Sequence, residues 1–513
     1  MTALAPASRL ASWSPRHMFL AILALTTVIK VWLSIAIPLI GDEAYFYQWG
    51  THVDWGGFYD HPPMVGWWLW ALQQISSHPL VLRLPAIALW IAITFGMMDL
   101  LPRMQAQAPE RRWLLGSLFL LLPFSWSLNL ITTDTPLIFF LFFSGYAFLR
   151  AELADDYRWY AAAGVLLGLA LLSKYFAGLL AIAYAVYLLP RRGGIPRLLV
   201  VALCALPFML LNLAWNSTHC WNNILFNLMN RNEGAHFSLA TVAIYVVMMV
   251  YLVTPWTGWQ LLRSSGWRSH WRLVALFAVP FALFLLLSFW KSIGLHWVLA
   301  FLPFVYLLAG LQLSDEQLER ARRWVLWLGL PHLLVLAAIA YWPTEHLGHG
   351  RLRSEMVIHR ETPALVAALE KDLPADGVLM TNSYSSASLL AYHARHYLPV
   401  YGMGSFHARF DDNLTNFRDL DGKAIRIFST RPVEGGMLTP YFDKVEIREL
   451  ALDGATYYVA DGSGFRFQPY FDKVIKAIAA SYYRVPPWLP LKGCQFLDQY
   501  DLLPATRPAP AAK

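Results

Sequence analysis

Eleven apolar runs, near residues 18–39, 80–101, 112–128, 136–149, 159–172, 175–189, 197–213, 239–262, 273–289, 297–313 and 324–342, limit more than anything else what this chain can fold into. Runs of this kind read as membrane-spanning helices. With 57% hydrophobic and 14% charged residues, the chain lies outside the soluble class. The 23 Trp, 24 Tyr and 30 Phe suit spans whose ends sit in the interfacial belts. Arg9, Arg16 and His17 precede the first run without a small-residue cleavage pattern, so it reads as a retained span.

Charge sets the orientation. With the N-terminus cytoplasmic, the inside loops carry an Arg excess (Arg103, Arg111, Arg112, Arg150, Arg191, Arg192, Arg197, Arg263, Arg268, Arg322 and Arg323 among them), while the outside loops hold only Lys174, Arg231 and Lys291. The net charge of +7 then needs no nucleic acid to explain it. An odd span count puts everything after Trp342 outside the cytoplasm. Residues 1–342 are thus read as a membrane domain, and 343–513 as a second, α/β domain. In the latter, Gly377 to Thr381 and Ala424 to Ser429 read as strands and Ala387 to Tyr392 as a helical turn or two. The Ala- and Pro-rich ending from Pro504 to Lys513 reads as disordered.

This topology collects the unusual polar residues on one face. The first outside loop brings Asp42, Glu43, Tyr59, Asp60 and His61, and its stretch from Trp67 to Ile75 reads as an interfacial helix. Short loops bring Thr133 with Asp134, and Ser173 with Lys174; a fourth brings Asn216, His219 and Arg231, and a fifth Lys291 and His296. Each has a plainer reading. Asp42, Glu43 and Asp134 can cap helices, Lys174 can snorkel to headgroups, and His61 before Pro62 and Pro63 can brace a turn. Their joint placement at span ends favours chemistry on something delivered from the membrane.

Cys204 reads as packing. Cys220 and Cys494 fall on the same outside face, and whether they bridge stays open because sequence gives no distance. Asp419-Leu420-Asp421 precedes Gly422 and reads as a turn rather than a metal site. No Walker loop, dinucleotide glycine pattern or zinc spacing is present, and the short basic inside loops leave no room for a nucleotide.

The ordered set Gly41-Asp42-Glu43-Ala44-Tyr45, Tyr59-Asp60-His61-Pro62-Pro63, Arg83-Leu84-Pro85, Thr133-Asp134-Thr135-Pro136, Leu172-Ser173-Lys174-Tyr175, Trp215-Asn216 with His219, and His296-Trp297 resembles the bacterial branch of the protein mannosyltransferase and aminoarabinose lipid A transferase superfamily, glycosyltransferase families 39 and 83, of GT-C fold. The resemblance covers roughly residues 15–342. It implies a bacterial inner-membrane enzyme with about eleven spans and an extracytoplasmic active site, moving a sugar from a polyprenyl phosphate to a lipid A, glycan or protein acceptor. Asp42, Glu43 and Asp134 match its acidic residues, and Lys174 looks like a donor-phosphate ligand by position. From their chemistry, Lys174, Arg231, Lys291 and His296 are candidates for the phosphate, and Tyr59, Asp60, His61, Asn216 and His219 for sugar or acceptor. Asp42 is the candidate base, and if the acceptor is itself a phosphate, Asp42 with Asp134 leaves room for a divalent cation. A lipid-linked glycan transporter or flippase, and a ligase using a diphosphate carrier, are the alternatives.

Overall fold

The computed structural model describes residues 14–106, 109–232, 234–348 and 350–503. The stretch from Pro504 to Lys513, read as disordered, and Arg9 lie outside them.

All eleven apolar runs form helices. Among the described residues seven are long and apolar enough to cross a membrane: Pro15–Ala36, Pro79–Met104, Asp134–Ala154, Gly194–Thr218, Gly266–Ser288, Leu295–Gln312 and Asp315–Tyr341. The chain is a multi-pass membrane protein. Leu239–Val253 and Pro255–Arg263 make an eighth element bent by 90°. Pro255 drives Thr254 out of the helical region (φ 63°, ψ 138°) and cannot continue the hydrogen-bond ladder.

The other three runs are shorter than a full crossing. Arg111–Leu121 (11 residues) stops ahead of Pro123, Tyr157–Leu171 has 15 residues, and Tyr175–Leu188 follows closely. At ~1.5 Å per residue even the second reaches only ~22 Å of a ~30 Å hydrocarbon core. Close packing compensates. Gly164 and Gly168, one turn apart, leave the Tyr157–Leu171 backbone so near Gly194–Thr218 that a Cβ would lie 2.4 Å from the Val201 carbonyl oxygen and 2.3 Å from the Phe208 ring.

Ion pairs sort by side. Arg111, itself buried, donates to the Gly310 carbonyl at 2.7 Å and to Asp315 at 2.8 Å, and Arg197 reaches Asp155 at 2.5 Å. Each joins two loops read as cytoplasmic, whereas Lys174 with Asp134 and His219 with Asp54 join loops read as external.

The C-terminal region holds a four-stranded sheet in the order β1-β2-β4-β3, with β1 Val378–Thr381, β2 Ile425–Ser429, β3 Phe442–Leu452 and β4 Ala455–Phe465. β1 and β2 are parallel, and β4 runs antiparallel to both β2 and β3. Asp453 and Gly454, with φ of 44° and 67°, turn β3 into β4 as a two-residue hairpin loop requires. Asp421 accepts from the Phe467 amide at 2.7 Å and Gly422 has φ 79°, the turn expected of that segment.

The sheet and the first external loop share one core. Leu365, Leu379, Leu389, Phe428 and Val459 pack with Tyr45, Phe46, Trp49 and Phe58, which lie on and after the Gly41–Thr51 helix. The interfacial helix expected from Trp67 runs instead over Met64–Gln73. Cys220 and Cys494 form a disulfide with Cα atoms 4.7 Å apart, tying the fourth external loop to the chain's last described stretch. These contacts hold the C-terminal region against the helix ends that carry Asp42, Asp134 and Lys174.

Candidate functional site

A cavity of about 580 Å³ opens where the helix ends read as external meet the C-terminal region. One wall comes from the membrane helices. Asp134 opens the helix Asp134–Ala154, and both its oxygens accept from the Lys174 ammonium, at 2.9 and 3.0 Å. Lys174 sits in the break between two helices with a backbone too extended to continue either one (φ −166°, ψ 141°), so its side chain turns inward and is 5% exposed. Burial lowers its pKa and the Asp134 carboxylate pulls it back up. His296, in the first turn of Leu295–Gln312, places Nε2 3.9 Å from Asp134. Arg231 lies over the Trp297 ring at 4.6 Å and Phe176 at 5.9 Å, a cation held on aromatic faces with its guanidinium edge available.

The other wall comes from the first loop and the C-terminal region. Asp42, exposed to the cavity, accepts from the Tyr384 hydroxyl at 3.1 Å. Asp60 is 1% exposed and faces two imidazoles: His407 Nδ1 donates to Oδ2 at 2.8 Å, and His61 Nδ1 stands 3.3 Å from the same oxygen without hydrogen-bond alignment. Tyr45 donates to Oδ1 at 3.4 Å. Burial opposes ionisation of Asp60, but the two histidines outweigh it and hold the carboxyl well below the usual range. For His61 burial prevails, lowering its pKa against the pull of Asp60.

The cavity therefore gathers Asp42, Asp60, His61, Asp134, Lys174, Arg231 and His296 from the sequence candidates. It does not gather the others. Glu43 is fully buried and pairs with Arg83, whose Nε and Nη2 lie 2.9 and 2.5 Å from its two oxygens; it also accepts from the Ile131 and Ile40 amides. Arg83 in turn donates to the Ile37 and Pro38 carbonyls, so the pair braces the end of the first span. Tyr59 donates to the Tyr482 carbonyl at 3.2 Å, stitching the loop to the C-terminal region. Asn216 is buried and caps the Ile224 amide. His219 stacks on Trp215 at 4.2 Å between ring centroids. Lys291 donates to the Arg231 carbonyl at 2.5 Å, behind the guanidinium, and burial lowers its pKa to about 8.

Tyr384 and His407 were not among the sequence candidates. No spacing marks them: each stands in a loop or at a helix start of the C-terminal region, and only the fold brings them to the cavity. For a divalent cation, the Lys174 ammonium already faces both oxygens of Asp134, and among the described residues no three His, Cys, Asp or Glu side chains are grouped to hold an ion. No step is assigned to one.

Chemically the cavity offers fixed cations on one side, for an anionic group, and a carboxylate open to a proton donor on the other. Residues 60–221 match the dolichyl-phosphate-mannose-protein mannosyltransferase family. A lipid A galacturonosyltransferase of Rhizobium johnstonii is 25% identical over 275 residues, covering 49% of this chain and 56% of that protein; the chain thus spans little more than half of this curated relative. In fold, the chain is similar to ArnT of Cupriavidus metallidurans. The apo structure superposes with a TM-score of 0.61 at 14% identity over 87% of this chain and 98% of that one, and the structure bound to undecaprenyl phosphate with 0.61 at 15% over 86% and 97%.

Proposed function

We infer that the chain is a glycosyltransferase of GT-C fold moving a sugar from a polyprenyl-phosphate donor to a lipid acceptor outside the cytoplasm, a reading supported by its family match over residues 60–221, its lipid A galacturonosyltransferase relative and its ArnT-like fold. One observation carries this reading: Asp42, Asp134, Lys174, Arg231 and His296, from five separate stretches of sequence, line a single cavity at the external helix ends. A solved fold-relative bound to undecaprenyl phosphate supports the donor class, and a lipid A galacturonosyltransferase relative supports the acceptor class. Ion pairs that join loops of the same predicted side support about eleven crossings with the site and the 343–513 domain on one face; the Arg excess of the opposite face supports a cytoplasmic N-terminus, and the bacterial relatives a bacterial inner membrane.

The donor phosphate lies against Lys174, Arg231 and His296, which stabilise the charge it gains as its bond to the anomeric carbon breaks. Asp134 orients the Lys174 ammonium. The acceptor hydroxyl enters beside Asp42; as its oxygen bonds to the anomeric carbon from the face opposite the phosphate, its proton passes to Asp42 and the departing electron pair to the phosphate. The anomeric configuration inverts. Glu43 and Arg83 act as positioning residues that fix the loop carrying Asp42. Mass spectrometry of envelope lipids from cells with and without the gene tests the reading. A lipid lighter by one sugar in the deletion is expected, and identical lipid and glycan masses would refute it. An undecaprenyl-phosphate-sugar left untouched by purified protein while lipid-linked glycans cross the membrane would move the assignment to a transporter.

A further inference from the structure

A second cavity, of about 360 Å³, lies behind Gly41. It sits at the carboxyl ends of the two parallel strands: β1 ends at Thr381 and β2 at Ser429, and Asn382, Ser383, Thr430 and Arg431, which follow them, all line it. In α/β sheets the crevice outside the carboxyl ends of parallel strands is where ligands are held. The Arg351–Arg360 helix closes it with Arg351 and His359.

The lining has a definite chemistry. Arg351 and Arg431 supply two permanent cations, against one carboxylate, Glu355, 3.6 Å from Arg351. Between them stand hydroxyls. Ser383 and Ser385 are 3.1 Å apart, and Ser429, accepting from Asn382 at 2.9 Å, fixes the floor. Guanidiniums recognise phosphate or carboxylate with paired hydrogen bonds, and hydroxyls exchange bonds with those of a sugar.

The two cavities lie on either side of the contact between Gly41 and Ser385. The Gly41 backbone touches Ser385 so closely that a Cβ would lie 2.8 Å from the Ser385 Cβ. Its neighbour Asp42 faces the main cavity and accepts from Tyr384, whereas Ser383 and Ser385 on either side of Tyr384 face the second. Consecutive residues, with Cα atoms ~3.8 Å apart, thus look into different cavities.

We propose that the second cavity is an acceptor subsite for an anionic saccharide, holding a phosphate- or carboxylate-bearing sugar of the acceptor while the acceptor's reacting group lies against Asp42; the proposal rests on the transferase reading above. Full-length protein in detergent micelles, titrated with lipid A and with dephosphorylated lipid A, tests it. Wild type is expected to bind the phosphorylated lipid at least ~10-fold more tightly, and Arg351→Gln/Arg431→Gln to lose that preference. Both side chains are exposed, so the fold does not depend on them. Equal affinity for the two lipids, or a preference that survives the double substitution, overturns the subsite. Inorganic phosphate that displaces the lipid with equal affinity, and does so only while Arg351 and Arg431 are present, makes the cavity a general anion site and also overturns it. The two readings fail separately. If no sugar is transferred yet the arginine-dependent preference holds, the function falls and the anion site stands; if transfer proceeds with an unchanged acceptor KM in the double variant, the subsite falls and the function stands.

Discussion

The membrane-side wall of the main cavity sets Lys174, Arg231 and His296 against one carboxylate, Asp134, whereas the outer wall sets Asp42 and Asp60 against two imidazoles, His61 and His407. They are also held differently. The first wall hangs on helix ends, and its cations are fixed by a buried ion pair and aromatic faces. The second is assembled from a loop and the C-terminal region, clamped by Glu43 with Arg83 and by a shared hydrophobic core. The contrast sets a cationic side against a carboxylate-bearing one, and it yields predictions that differ by wall.

The largest effect is expected on the outer wall. Asp42→Asn should lower turnover ~10²–10⁴-fold, the usual weight of a general base, while thermal stability in detergent stays at wild-type level. Full turnover in that variant would shift the proton to the Asp60 and His407 pair. Next comes the clamp. Arg83→Met strands a buried Glu43 charge and should cost ~3–5 kcal/mol of stability, read as a fall in Tm, with Glu43→Gln added in the same chain restoring part of it. If Arg83→Met leaves Tm unchanged, the pair does not hold the outer wall.

On the membrane wall, Lys174→Met should raise the donor KM ~10–100-fold and leave the acceptor KM within about twofold. Equal losses for both substrates would erase the distinction between the walls. The smallest effect concerns pH. Burial pushes Asp412 up to about 6, against the nearby Arg409, from the ordinary 3.8. The folded protein therefore binds more protons than the unfolded chain between those values, so stability is greatest at low pH within this window and falls as pH rises through about 6, by up to about 3 kcal/mol. Asp411, raised by the same burial, acts with the same sign. Buried histidines such as His61 act with the opposite sign near pH 6, so the check is the difference: the Tm of wild type minus that of Asp412→Asn should fall between about pH 4 and 6, and a difference that climbs would contradict this.

The helices were legible because runs of apolar residues have few alternatives, and so were β1 and β2, short apolar segments flanked by turn residues. The β3–β4 hairpin was not. Its outer strand alternates charged and apolar residues, as an exposed edge does, and only the Asp453-Gly454 turn announced it. Within the site, adjacent positions divided. Asp42 and Glu43 differ by about 100° around one helix, so one faces the cavity and the other the protein interior, a choice no linear motif contains. Polar residues such as Asn216, Tyr59 and His219 read as ligands because they occur at external loops, but the backbone amides and carbonyls nearby claim them first. Tyr384 and His407 stayed hidden because they reach the cavity from more than three hundred residues away in sequence from Asp42 and Asp60. The Cys220–Cys494 bridge, open from sequence, needed only the distance that the fold supplies.

The joint construction of the outer wall from Asp42 and Tyr384, and from Asp60 and His407, has a consequence for quality control. A chain cut short by premature termination or proteolysis ahead of Tyr384 would keep its apolar helices and Asp42, yet lose the hydroxyl and imidazole partners of Asp42 and Asp60 and the Cys494 end of the bridge that ties down the loop carrying Arg231. Such a remnant would be a passive occupant of the bilayer, its early carboxylates left without the late-arriving partners that hold them in place.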